Sequence, residues 1–282
     1  MLRSIFITVA VLIAVFVALV HFQYLMLRCR VCQAHVVRSL HVYDGDCRGP
    51  LRILSYNLHG LPLFWKNNAE RVKVLTSAFL EDRLNDHDVM AFQEAFSSEY
   101  TRNLSTFLSS RGWHVAHPRL ASFPHFAHSG LMLASRHEMM GVECITFDTC
   151  ALLDCFATKG ALSATIQRDG ESITIVNTHL QDATWDATGN TRTRQIKLLR
   201  DHWGQNTTSS PVYVGDFNLH TDASKACGAE MLGKATFPTS GTYGNTVLDG
   251  AFGPRVCSVH VLRPQYPCFV SDHLPISITL CP

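Results

Sequence analysis

The sequence predicts an α/β or α+β domain rich in β structure, with two packed sheets and helices outside them. Three observations lead there. Short apolar runs ending in polar residues alternate with amphipathic helical patterns. Strand-like runs outnumber helical ones, and a β-rich pair is joined at Asp169-Gly170, a dipeptide suited to a tight hairpin turn. The 282 residues, 46% of them hydrophobic, suffice for one large core.

The first element is apolar and free of charge from Ser4 to Leu27, long enough to cross a bilayer. It reads as a single-pass N-terminal anchor rather than a cleaved signal peptide, because small residues at a plausible cleavage site are hard to find. The side faced by the remainder has conflicting cues. Arg28, Arg30 and Arg38 favour the cytosol, whereas ten cysteines and sequons at Asn103 and Asn206 favour a secretory compartment, toward which the reading leans slightly. Residues 28–50 lack strong periodicity and read as a juxtamembrane linker. Their Cys29 and Cys32 form a CxxC with no second pair, so zinc is disfavoured.

A domain over 51–282 follows. LRILSYNL is a strand; a helix carries Val72, Leu75 and Phe79 on one face; DVMAFQE is the next strand. A second helix presents Tyr100, Leu104 and Phe107, and GLMLAS returns as a strand. The hairpin ALSATIQRDGESITIVNTHL precedes a helix with Ile196, Leu199 and Trp203. PVYVGDFN, VLDGAF, CSVHVL and LPISITL close the chain as strands.

Several strands end in an amide, carboxylate or imidazole: Asn57, Glu94, His179, Asp216 with Asn218, Asp249, and Asp272-His273. Singly, each has an ordinary reading as a turn cap or a satisfied core residue. Together they place polar groups at strand ends, where a rigid sheet holds functional loops. Glu94 and Asn57 offer hard oxygen ligands suited to Mg²⁺, and the histidines and acids supply proton transfer and orientation. There is no G-x-S-x-G for a serine hydrolase. A formal charge of +1 gives no global field for a polyanion, so nucleic acid is not the expected partner.

The motifs SYN, QE, NTHLQ, GDFN, LD and SDHLP, in this order from Leu51 to Pro282, resemble the endonuclease/exonuclease/phosphatase superfamily. That resemblance implies the DNase I-like fold, a four-layer α/β sandwich of two packed mixed sheets. It also implies a metal-dependent phosphoesterase. Residues 152–162, LLDCFATKGAL, fail as a Walker A loop but match D-x-x-A-x-K-G through Asp154, Ala157, Lys159 and Gly160, a signature of the neutral sphingomyelinase branch.

The resemblance implies Mg²⁺ held by Glu94 with Asn57, and His273 as general base oriented by Asp249. It makes Asp216 a support for the water or the base, Asn218 and His179 donors to phosphoryl oxygens, and Asp272 an aid to the metal-bound edge. Lys159 and Asp154 become a coupled pair near the site. The expected substrate is sphingomyelin or a related sphingolipid in a membrane. A nuclease or inositol-phosphate phosphatase of the same fold, or a catalytically dead binding protein, stands as the alternative.

Overall fold

The computed structural model describes residues 11–18, 32–39, 49–61, 68–119, 128–204, 211–219, 235–236, 248–265 and 270–281. In chain order the strands are β1 (Ala34–Val37), β2 (Leu51–Asn57), β3 (Val89–Gln93), β4 (His114–Pro118), β5 (Met132–Ser135), β6 (Met139–Thr146), β7 (Gly160–Arg168), β8 (Glu171–His179), β9 (Val212–Asp216), β10 (Ala235–Thr236), β11 (Asp249–Phe252), β12 (Val256–Val261) and β13 (Ile276–Leu280). Helices α1 (Asn68–Leu75), α2 (Ser98–Ser109) and α3 (Asn190–Trp203) lie between strands, and α1 runs on through a π-turn over Thr76–Leu80.

The strands form two sheets, a seven-stranded one ordered β1-β4-β5-β3-β2-β13-β12 and a six-stranded one ordered β10-β11-β9-β8-β7-β6. Each is mixed, because β2 pairs parallel with β3 and β8 parallel with β9 while the other pairs are antiparallel. Three apolar clusters define four layers. Ile53, Ala91, Leu133, Leu162, Ile175 and Val214 pack between the sheets. Tyr56, Phe92 and Met132 turn the other face of the first sheet to Leu75, Phe79 and Leu104 of the helical layer. Val176 and Tyr213 of the second sheet meet Ile196, Leu199 and Trp203 of α3. Strands buried on both faces read as near-continuous apolar runs, which is why VMAFQ and VYVGD show no alternation.

The expected hairpin is β7–β8, paired from Ala161 with Thr178 to Arg168 with Glu171. Asp169 and Gly170 turn it with φ of 53° and 81°, the left-handed values that a two-residue turn of this hand requires.

Two N-terminal expectations are corrected. Among the described residues no helix is long and apolar enough to cross a membrane, which overturns the single-pass anchor and the membrane location drawn from it. Apart from residues 11–18, the expected 4–27 span, with Cys29 and Asn206, lies outside the described residues. Within the supposed linker, residues 34–37 are β1, the edge strand paired with β4. Cys32 bonds to Cys144 of β6, so this segment is tied to both sheets. Cys150–Cys155 and Cys257–Cys281 are also bonded.

Within the second sheet, β8 and β9 approach tightly near their ends. Gly215 has φ +137°, and a Cβ there would lie 2.0 Å from the Thr178 carbonyl oxygen. Since that oxygen is backbone of the paired strand, it has little freedom to yield. Gly215→Ala is expected to destabilise the protein by about 3 kcal/mol or more, read as a lowered urea midpoint; an unchanged midpoint would show that β8 and β9 can separate there.

Candidate active site

The strand ends converge where the two sheets face each other. Asn57 closes β2, Glu94 follows β3, His179 closes β8, Asp216 closes β9 and Asp249 opens β11. His273 comes from the turn that precedes β13, where the Ser271 hydroxyl accepts from the His273 N–H at 3.1 Å and donates to the Asn57 carbonyl at 2.7 Å. Backbone conformation is unusual here. His59, Glu94 and Asn218 have φ of 49°, 58° and 50°, left-handed values that cost roughly 1 kcal/mol or more each and turn their side chains inward.

Asn57, fully buried, is the centre of the cluster. Its Nδ2 donates to Glu94 Oε1 at 2.9 Å and to Asp216 Oδ2 at 3.0 Å, and lies 3.5 Å from His273 Nε2. Its Oδ1 accepts from the His59 N–H at 3.0 Å. Asn57 thus reaches the cluster through its Nδ2, a donor that steadies Glu94 and Asp216, while its Oδ1 takes one backbone N–H.

His273 Nδ1 faces Asp249 Oδ2 at 2.7 Å, and its Nε2 is 3.7 Å from Asp216 Oδ2. His179 Nε2 sits 3.6 Å from Asp216 and 3.9 Å from Glu94. One N–H of Asn218 is taken by the Leu180 carbonyl at 3.1 Å, while its backbone N–H binds Asp216 Oδ1 at 3.0 Å. Lys159, buried, donates to the same Leu180 oxygen at 2.7 Å and pairs with Asp154 at 3.0 Å. Lys159 thus joins the site through Leu180, and Asp154 stands at its rim, fixed by the Asp182 N–H at 2.8 Å. The Asp272 carboxylate meets His59 Nδ1 at 3.1 Å, and that imidazole lies 3.8 Å from Glu94.

Burial of these acids shows in their proton affinities. Glu94 is raised above the usual carboxyl range by burial, against the opposing pull of the Asn57 hydrogen bond and nearby imidazoles. Asp216 is pushed up to about 7, first by burial and then by the Asp249 carboxylate. His179 is held well below 6.5 by burial, aided by Lys159 and His273, so it is neutral. His273 departs from the expected unperturbed value. Burial acts to lower it, but the charge and hydrogen bond of Asp249, then Asp216 and Glu94, outweigh that and hold it well above 6.5.

Glu94, His179 and Asp216 present ligand atoms within 4.8 Å of one another, as do Asp216, Asp249 and His273. A hard divalent cation fits the first group, because its carboxylates lie buried with proton affinities raised for want of positive charge.

Sequence reasoning missed His59, Gln93, Asn177 and Ser271. Buried Gln93 and Asn177 join the two sheets through a 2.7 Å hydrogen bond beneath the site, and Asn177 Nδ2 also donates to the Phe92 and Met132 carbonyls. Both stand inside recognised motifs, QE and NTHLQ, and Ser271 two residues before His273 is the spacing of a hydroxyl-capped turn.

Comparison with known proteins places this geometry. The family model described as Endonuclease/Exonuclease/phosphatase family matches residues 54–273. SmcL is 18% identical with a TM-score of 0.69, covering 83% of this chain and 99% of that one. A mutant beta toxin from Staphylococcus aureus with bound magnesium ions is 18% identical with a TM-score of 0.68, covering 83% and 100%. Sphingomyelinase C from Streptomyces griseocarneus is 18% identical with a TM-score of 0.63, covering 83% and 100%. D. rerio TDP2 complexed with single-strand DNA product is also similar, at 18% identity and a TM-score of 0.59. At such identities the likeness establishes the fold alone. No curated protein matches the sequence.

Mg²⁺ is expected to bind at Glu94 and to expel the proton near Asp216. Because the raised carboxyl groups must ionise, affinity should rise with pH up to about 7 and then level off, with protons released to buffer below that point. Calorimetry in two buffers of different ionisation enthalpy reads both effects. Glu94→Gln should weaken binding at least about tenfold; unchanged affinity would remove Glu94 from the cation site.

Proposed function

Because the chain belongs to the endonuclease/exonuclease/phosphatase family, whose members of this fold are hydrolases, we propose that it is a Mg²⁺-dependent phosphodiesterase of phospholipase C type, cleaving sphingomyelin to ceramide and phosphocholine. The observation that carries the choice of substrate is the Lys159–Asp154 pair at 3.0 Å, bonded through Leu180 to Asn218. It ties a sequence signature similar to neutral sphingomyelinases to the cluster that would do the chemistry. The solved sphingomyelinase C of the same fold supports the reading.

In this mechanism water attacks phosphorus and the bond to the ceramide oxygen breaks, that oxygen taking a proton from solvent as it leaves. His273 Nε2 takes the water proton, while Nδ1–H stays bonded to Asp249, which holds the ring's tautomer and stabilises the imidazolium. Asp216 lies beside Nε2 and orients the attacking water. The remaining Asn218 N–H and neutral His179 donate to phosphoryl oxygens, where charge grows in the transition state. Glu94, steadied by Asn57, would hold Mg²⁺, whose charge would act as Lewis acid and favour a neutral His273.

The basic helix α3 argues against a nucleic-acid substrate. Arg192 is buried against Asp186 at 3.6 Å, Arg194 lies 3.7 Å from Asp148, and Lys197 is 2.5 Å from Asp201. Three of its four basic residues before the last turn's end thus face carboxylates, and no open stripe for a phosphate backbone forms along them.

A lipid panel with and without Mg²⁺ tests the substrate directly. Phosphocholine should appear from sphingomyelin but not from phosphatidylcholine, and EDTA should abolish it; equal hydrolysis of both lipids, or of single-strand DNA, would replace this reading.

The base is tested by a mutant cycle. His273→Ala should lower turnover roughly 10² to 10⁴-fold. Asp249→Asn should lower the maximum rate too, and the double mutant should lose far less than the product of the single losses. The pH profile adds a sign. Asp249 raises the His273 pKa, and the base must be neutral, so rate climbs with pH as that proton leaves. Removing the Asp249 charge should move this acidic limb to lower pH; a limb that stays put would assign it to another group.

A further inference from the structure

Helix α2 and the edge strands β1 and β4 enclose a polar cleft whose lining includes none of the residues gathered in the active site. His35 of β1 pairs directly with His117 of β4, and the two rings stand 5.1 Å apart. The neighbouring pair Val37–Val115 packs into the cluster that holds Leu104 and Leu108 of α2, so the two histidines share that face of the sheet. The cavity over them measures about 210 Å³, and α2 lines it with hydroxyls and one guanidinium, including Thr101, Arg102, Ser105 and Ser109. A helix face turned to a sheet is ordinarily apolar; this one is not.

The cleft holds unspent hydrogen-bonding capacity. Ser105 is 8% exposed, yet its Oγ has no partner among the described residues, a costly state for a buried hydroxyl. Thr101 and Ser109 have spent their hydroxyls on the Ala95 and Ser105 carbonyls. His117 uses only Nδ1, on the Pro118 carbonyl at 2.8 Å, leaving Nε2. Arg102 and His35 make no hydrogen bond or ion pair among the described residues. No carboxylate or thiolate lines the cavity, and a guanidinium does, which disfavours a metal cation.

We propose that this cleft binds a phosphate-type oxyanion, with Arg102 supplying the charge, Ser105 Oγ a buried donor, His35 a flanking imidazole donor, and His117 Nε2 an acceptor for the anion's own hydroxyl, since its Nδ1–H is held by the Pro118 carbonyl. A tetrahedral anion accepts on several sides at once, which matches donors arriving from the helix and from the sheet. The anion's source is a free phosphate or a lipid phosphate head group. None of the lining residues belongs to the active-site cluster, so binding here can be tested apart from hydrolysis.

The test uses inorganic phosphate, with EDTA present, on the full chain. Phosphate should raise the melting temperature and shift the ring resonances of His35 and His117. Arg102→Gln should weaken binding about tenfold or more and leave sphingomyelin turnover unchanged. Ser105→Ala should melt no lower than wild type without phosphate, since it removes an unpartnered hydroxyl, yet gain less from phosphate. Phosphatidic acid vesicles that displace the phosphate would identify a lipid source, and vesicles that do not would identify a soluble one. Rings unmoved by phosphate, shifts that persist undiminished in Arg102→Gln, or rings moved by Zn²⁺ and not by phosphate would overturn the proposal.

Discussion

Three carboxylates, Glu94, Asp216 and Asp249, are brought together at the mouth between two sheets, and one neutral amide steadies the first two while His273 holds the third. Asn57 belongs to the first sheet and donates to Asp216 of the second, so its 3.0 Å bond spans the sandwich. Burial disfavours ionisation of both Glu94 and Asp216, and at Asp216 the neighbouring carboxylates add to it, so both proton affinities are raised. The fold therefore stores a demand for positive charge. A proton at His273 meets it in part, and a divalent cation meets it better. The tight approach at Gly215, the left-handed backbone at Glu94 and the inter-sheet Gln93–Asn177 bond all serve to hold that arrangement.

The supports around the cluster extend outward in one connected path. Asn218 is oriented by the Leu180 carbonyl, that carbonyl is shared with Lys159, Lys159 is paired with Asp154, and Asp154 sits in a turn closed by Cys150–Cys155. Gln181 secures the start of the same turn, its Oε1 accepting from the Ala151 N–H at 2.8 Å. The signature lysine is thus buried by its bonds to backbone and carboxylate, and a lysine snorkelling at a strand edge would show neither.

Much of this was legible in the sequence because strands buried on both faces leave an apolar run that stops abruptly at a polar residue. Asn57, Glu94, His179, Asp216 and Asp249 were visible for that reason, and the β7–β8 turn was visible because Asp-Gly fits left-handed backbone. What the pattern could not carry was direction. Which way the Asn57 amide points, and that Asp272 meets His59, depend on contacts between distant segments. Cysteine pairing is of the same kind: Cys32 finds Cys144 only because β1 and β6 lie at neighbouring edges of the two sheets. The N-terminal reading failed because hydropathy alone cannot tell an apolar stretch from a spanning helix.

The central claim is that the buried acidic cluster is the seat of a catalytic cation centred on Glu94. Crystals grown with Mn²⁺ in place of Mg²⁺ and measured for anomalous scattering test it most directly. The account predicts a peak in direct coordination of a Glu94 carboxylate oxygen, with the Asn57 amide still turned toward Asp216. A cluster without a peak, or a cation bound only between His59 and Asp272, would contradict it.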